Sequence, residues 1–168
     1  MEPIKITSMV ITGIVLLVSL YTDLRYSKIL NKVTLPCIPI GLLVWGLAGQ
    51  GWEGVIFSIQ GIAIGSVALL VAGALRWIGP GDAKLMVAIG ALNGPTFVLY
   101  TAGFGAIAGG IIALAVLLRR RMVKAWTMET AVAILSHLPI ETCWANRAGY
   151  IPYSIAITIG ALAAALYI

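Results

Sequence analysis

The chain has 168 residues, of which 61% are hydrophobic and only 10% charged, and its mean hydropathy is +1.04. A water-soluble domain carries about 25% charged and roughly 45–50% apolar residues, so the surplus apolar surface must face lipid, and a soluble domain is excluded. The net charge of +5 would suit nucleic acid, but the basic residues cluster between hydrophobic segments, where they orient membrane spans; a bilayer is the expected partner and nucleic acid is not.

A spanning helix needs about 20 apolar residues. The fold is therefore expected to be all-α: a polytopic membrane helical bundle of about six transmembrane helices, with residues 1–168 forming a single membrane-embedded domain. The first predicted span is 6–22, an uncleaved span because no small-residue cleavage site follows it. A polar stretch, 23–32, reads as a loop, with a short helical continuation as the alternative, and precedes an apolar run at 33–48. Gln50-Gly51-Trp52-Glu53 reads as a tight turn with an interfacial Trp, and 55–75 as a long third span. Gly79-Pro80-Gly81 is strong turn chemistry, behind which Asp82 would cap a helix over 83–92. Asn93-Gly94-Pro95 breaks that helix early and leaves a short fourth span of about 20 Å. Spans at 96–118 and 151–168 follow. Between them, 125–146 mixes apolar residues with Glu129, Ser136, His137, Pro139 and Glu141 and reads as an interfacial helix plus loop, with a buried seventh span as the alternative.

With six spans, the segments 23–32, 76–84 and 119–149 share one side and hold every Lys and Arg except Lys5. That side is expected to be cytoplasmic, which puts both termini on the extracytoplasmic face. Glycine is abundant, at 19 residues. Gly61 with Gly65, and Gly105 with Gly109, have the spacing of close-packing faces within a bundle.

The signatures of soluble enzymes are missing: there is no GxxxxGK[ST], HExxH or GxSxG. The formal GxGxxA match at Gly103 to Ala108 lies inside an apolar run and is no nucleotide site. Cys37 and Cys143 stand far apart and His137 is the sole histidine, so neither a disulfide scaffold nor a metal site is expected, and no cofactor.

Two residues stand out. Asp23 and Asp82 are the only aspartates in the chain, and both fall at the cytoplasmic ends of predicted spans. Ionisable groups near membrane depth are costly, and are usually paired, buried in a bundle or functional. For Asp82 the plain alternative is a helix N-cap; for Asp23 it is an interfacial charge balanced by Arg25 and Lys28. Together, two carboxylates on neighbouring helices could share a proton and activate water against a peptide carbonyl. A scaffold, or a small transporter that binds cations or relays protons through the aspartates, is the competing class. Transport sites lie near the bilayer midplane, whereas both aspartates are placed at its edge.

Gly79-Pro80-Gly81-Asp82-Ala83-Lys84-Leu85 resembles the GxGDxKL motif of the GxGD membrane aspartyl proteases, in particular the type IV prepilin and preflagellin peptidases. Asp23-Leu24-Arg25 with Ile29, Asn31 and Pro36 resembles the first motif of that family, DxR…IxN…P. Ala88-Ile89-Gly90-Ala91, Gly94, Ile151-Pro152-Tyr153 and Gly160 continue the likeness; Leu30 departs from it, standing where many small members have proline. The DxR form and the small size are less like a presenilin-type protease. The resemblance implies that Asp23 and Asp82 are the catalytic pair, with Gly79, Gly81, Lys84, Arg25 and Asn31 as motif residues around them. For Arg25 and Lys84, charge balance at the interface stands beside substrate contact. The implied substrate is a prepilin-like membrane protein with a short basic leader, as in Flp/Tad-type or archaeal filaments, cut at the cytoplasmic face of the cytoplasmic (inner) membrane. Because only about five residues precede the first span, the chain is similar to the compact type that cleaves without N-methylating its product.

Overall fold

The computed structural model describes residues 3–26, 29–47, 51–74, 80–119 and 153–168. Among them are five helices and no strand: α1 (Pro3–Tyr26), α2 (Asn31–Trp45), α3 (Gly51–Ala74), α4 (Pro80–Arg119) and α5 (Tyr153–Tyr167). The expected interfacial helix at 125–146 lies outside the described residues. Two stretches, α1 and residues 81–116 of α4, are long and apolar enough to cross a membrane.

The helix α1 shows why such a sequence suits lipid. Its buried residues are Ser8, Thr12, Val15, Leu16, Ser19, Thr22 and Asp23, three or four apart, and so form one stripe along the helix. Most of that stripe is polar. Val10, Ile14, Leu17 and Leu24 point outwards, and Leu17 is 66% exposed. Most of the large apolar side chains are outside and most of the hydroxyls inside, an arrangement that hydrocarbon favours and water does not. The buried hydroxyls of Thr12 and Thr22 donate to the carbonyls of Ser8 and Ser19 on their own helix, which removes the cost of an unpaired polar group.

Several boundaries differ from the sequence expectation. The first helix runs on to Tyr26, three residues beyond Asp23, because the polar residues after Thr22 continue its last turn. Asp23 therefore lies within one turn of the helix end. The helix α2 starts at Asn31, and α3 at Gly51, so Trp52 and Glu53 belong to a first turn and not to a loop. The helix α4 begins at Pro80. Proline lacks the N–H that a first helical position leaves unused, so it starts the helix there and puts Asp82 inside the first turn instead of at the N-cap. Leu30, before α2, has φ −77° and ψ 124°; proline would impose nearly the same φ.

The fourth helix is in fact two. Gly94 has φ 82° and ψ −176°, a conformation that costs a residue with a Cβ dearly, and a Cβ there would also collide with the Phe57 ring. The chain reverses at this point. Asp82 and Gly109 would stand roughly 40 Å apart on one straight helix. Yet Tyr153 packs on Gly109, 2.9 Å from where a Cβ would sit, and lies within electrostatic reach of Asp82.

A break inside an apolar bundle frees backbone carbonyls that have no water to turn to. Pro95 has no N–H for the carbonyl of Ala91, and the Ser58 hydroxyl of α3 donates to it instead, at 2.7 Å. The Trp45 indole of α2 donates to the carbonyl of Leu92, also at 2.7 Å, and its ring packs on Phe57 at 4.6 Å.

Glycines bring the backbones together on both sides of the break. Gly61 of α3 meets Gly90 backbone to backbone, Gly65 meets Met86 and Val87, and Gly41 of α2 meets Ala91. Beyond the break, Gly105 faces Ala156, and Gly160 of α5 lies against Thr101 and Gly105. Both glycine pairs singled out by their spacing thus pack within the bundle. Around them Leu85, Ile89, Leu92 and Val98 are fully buried with Val15, Leu16 and Ile157.

Two consequences are measurable by thermal unfolding in detergent. A Cβ at Gly90 would meet the Gly61 backbone, whereas one at Gly103 would meet nothing within 4 Å. Gly90→Ala should therefore cost about 1–3 kcal/mol despite the better helix propensity of alanine, while Gly103→Ala should be neutral or stabilising by up to about 1 kcal/mol. Leu30→Pro should leave stability unchanged or raise it by about 0.4–1 kcal/mol, since the backbone already has the required φ; a clear loss would show that the Leu30 N–H is needed.

Candidate active site

Asp23 is carried on the inner stripe of α1 and is 1% exposed. Ser154, the second residue of α5 and equally buried, donates its hydroxyl to Asp23 Oδ2 at 2.5 Å. Asp82, in the first turn of α4, is 8% exposed. Its neighbour on α5 is Tyr153, on which the Asp82 charge acts. Of two consecutive residues of α5, Ser154 therefore bonds to Asp23 and Tyr153 lies within electrostatic reach of Asp82.

A second contact sets the level of the two helices. Asn93, at the far end of the first half of α4, donates to Thr12 Oγ1 of α1. Thr12 is eleven residues from Asp23, and Asn93 is eleven from Asp82. The two helices run in opposite directions, so equal lengths of about 16 Å from that contact bring both aspartates to the same end of the bundle.

The remaining motif residues divide. Asn31, the first residue of α2, accepts a hydrogen bond of 3.0 Å from Lys84 Nζ, which ties the start of α2 to the start of α4. Gly81 lies against Ile29, whose Cβ would be 3.0 Å from a Cβ at that glycine. The connector after α1 is thus packed directly on the turn of α4 that carries Asp82, and a side chain at Gly81 would press on Ile29. Arg25 is elsewhere: it is exposed, and its guanidinium lies 6.0 Å from the Tyr26 ring centroid. Gly79 lies outside the described residues, as do His137 and Glu141.

Chemically, the end of the bundle holds two buried carboxylates, a hydroxyl donor and a phenol. Among the described residues no three His, Cys, Asp or Glu side chains come together as a metal site would require. Ser154 and Tyr153 were not evident as site residues from the sequence. Tyr153 was visible only as part of an Ile-Pro-Tyr likeness. The one local signal for Ser154 is a hydroxyl at the start of an otherwise apolar helix.

A family model described as the type IV leader peptidase family matches residues 10–114. No curated protein and no solved structure matches the chain. The matched stretch contains most of α1, all of α2 and α3, most of α4 and both aspartates, and takes in more than half of the chain. The chain belongs to the type IV leader peptidase family, a family of membrane-associated proteases that act on membrane-protein precursors.

Proposed function

We propose that this protein is an aspartic endopeptidase that removes the short basic leader from prepilin-like precursors, with Asp23 and Asp82 as its catalytic pair. The observation that carries the reading is that Ser154, in the first turn of α5, donates to Asp23, while the adjacent Tyr153 lies within electrostatic reach of Asp82. This supports a reading in which two helices far apart in sequence present their aspartates to one place. In the proposed reaction one carboxylate takes a proton from water, which attacks the scissile carbonyl, and the other donates a hydrogen bond to the carbonyl oxygen. The proton then passes to the leaving amine, so the dyad ends with the same total number of protons. The glycines beside Asp82 leave room for a substrate backbone to approach.

The proposed topology is one domain of six transmembrane helices in the cytoplasmic membrane, with the two halves of α4 each crossing once and both termini extracytoplasmic. All Lys and Arg but Lys5 then fall on the cytoplasmic side, beside the catalytic pair. A precursor whose basic leader stays in the cytoplasm and whose apolar helix enters the bilayer would deliver its junction at that depth. Filament precursors of the Flp/Tad or archaeal kind have this form. The tie between Asn31 and Lys84 supports a positioning role for both, holding the two motif-bearing segments together.

Co-expression with a prepilin-like substrate tests the pair. Asp23→Asn and Asp82→Asn should each abolish the leader-sized mobility shift while protein level and membrane insertion stay near normal; full cleavage by either variant would overturn the dyad. The chain has no glycine-rich nucleotide-type loop to hold a methyl donor, so cleavage without methylation is proposed. Mass spectrometry of the product made by the purified protein should find a free N-terminal amine, and a methyl group there would contradict this.

A further inference from the structure

We infer that Ser154 is a positioning residue for Asp23, so that the first turn of α5, outside the family match at 10–114, is part of the active site. The inference rests on the aspartic-protease reading above. It begins from how hydroxyls behave elsewhere in the bundle. Thr7, Ser8, Thr12, Thr22, Ser66 and Thr158 all donate to carbonyls three or four residues back on their own helix. That is the ordinary way to satisfy a hydroxyl in an apolar helix. Ser58 instead reaches across to a backbone carbonyl at the helix break, and Ser154 reaches across to a carboxylate 131 positions away.

Ser154 is the second residue of the helix, and its hydroxyl bonds across to α1 instead of along its own helix. A buried hydroxyl left unpaired is costly, and the Asp23 carboxylate takes up the donor. The register that brings the two together is fixed at both ends. Tyr153 packs on Gly109, and Gly160 lies against Thr101 and Gly105, so α5 cannot slide without a collision. The hydrogen bond to Oδ2 helps to fix the plane of the Asp23 carboxylate, and a dyad that must share a proton and aim a water depends on that plane.

The test compares Ser154→Ala, Ser154→Thr and Thr158→Ala in the purified full chain, by steady-state cleavage of a prepilin-like substrate. Ser154→Ala should lower kcat about 10–100-fold with KM within about 3-fold, since the substrate still binds but the acid–base pair is misaligned. Ser154→Thr keeps the hydroxyl and should recover kcat to within about 5-fold of wild type. Thr158→Ala should behave as wild type. Wild-type kcat in Ser154→Ala, an equal loss in Ser154→Thr, or a loss confined to KM would overturn the inference while leaving the protease reading intact. A wild-type chain that cleaves no prepilin-like precursor would overturn the protease reading itself, and this inference with it.

Discussion

Hydrocarbon offers no hydrogen bonds, so a helix that breaks inside an apolar bundle must find donors among its neighbours, and the architecture of this protein depends on how one such break is met. At Gly94 and Pro95 the fourth helix reverses, and the Ser58 hydroxyl and Trp45 indole satisfy the freed carbonyls of Ala91 and Leu92. Those two donors come from α3 and α2, so the break is stable only when three helices are already in place. The reversal in turn returns the second half of α4 to the end of the bundle where the first half began. There it meets α5 through Gly105 and Gly109. Without it, Tyr153 and Ser154 would have no fixed position beside the two aspartates.

The glycine contacts serve the same end. A glycine inside a helix is about 1 kcal/mol worse than alanine, and a sequence with 19 of them needs a compensating gain. Between helices that share a lipid solvent there is no hydrophobic drive to associate, so the gain must come from close van der Waals contact. Contacts such as Gly61 with Gly90 and Gly160 with Gly105 supply it, and they also hold helix register firmly. That rigidity matters for carboxylates. An ionisable group within a membrane helix costs about 2.5–3.5 kcal/mol on insertion scales, and here one is held by a neutral hydroxyl on a helix whose register cannot drift.

Much of this is written locally in the sequence. Hydropathy runs mark the helices, Asn93-Gly94-Pro95 marks the break, and glycines four apart mark the packing faces, because each signal is confined to a few neighbouring residues. The two motif halves around Asp23 and Asp82 are legible for the same reason. Helix ends are less so: Asp23 and Arg25 look like a loop by polarity, yet the helix keeps its last turn to Tyr26, and Pro80 looks like a turn residue while it opens a helix. The pairing of Ser154 with Asp23 could not be read at all. It depends on the register of α5 against α4, which is set by tertiary contacts of Tyr153 and Gly160 and by nothing within the segment itself.

The central claim is that Asp23 and Asp82 face one another as a working pair. The most direct test is cross-linking in native membranes of an Asp23→Cys, Asp82→Cys chain in which Cys37 and Cys143 are replaced by serine, using a short thiol-specific bifunctional reagent. The contact between Thr12 and Asn93 supplies the reference, as a Thr12→Cys, Asn93→Cys chain treated in the same way. The account predicts an intramolecular link between positions 23 and 82 about as efficient as the reference link. A reference pair that links while positions 23 and 82 do not would contradict it.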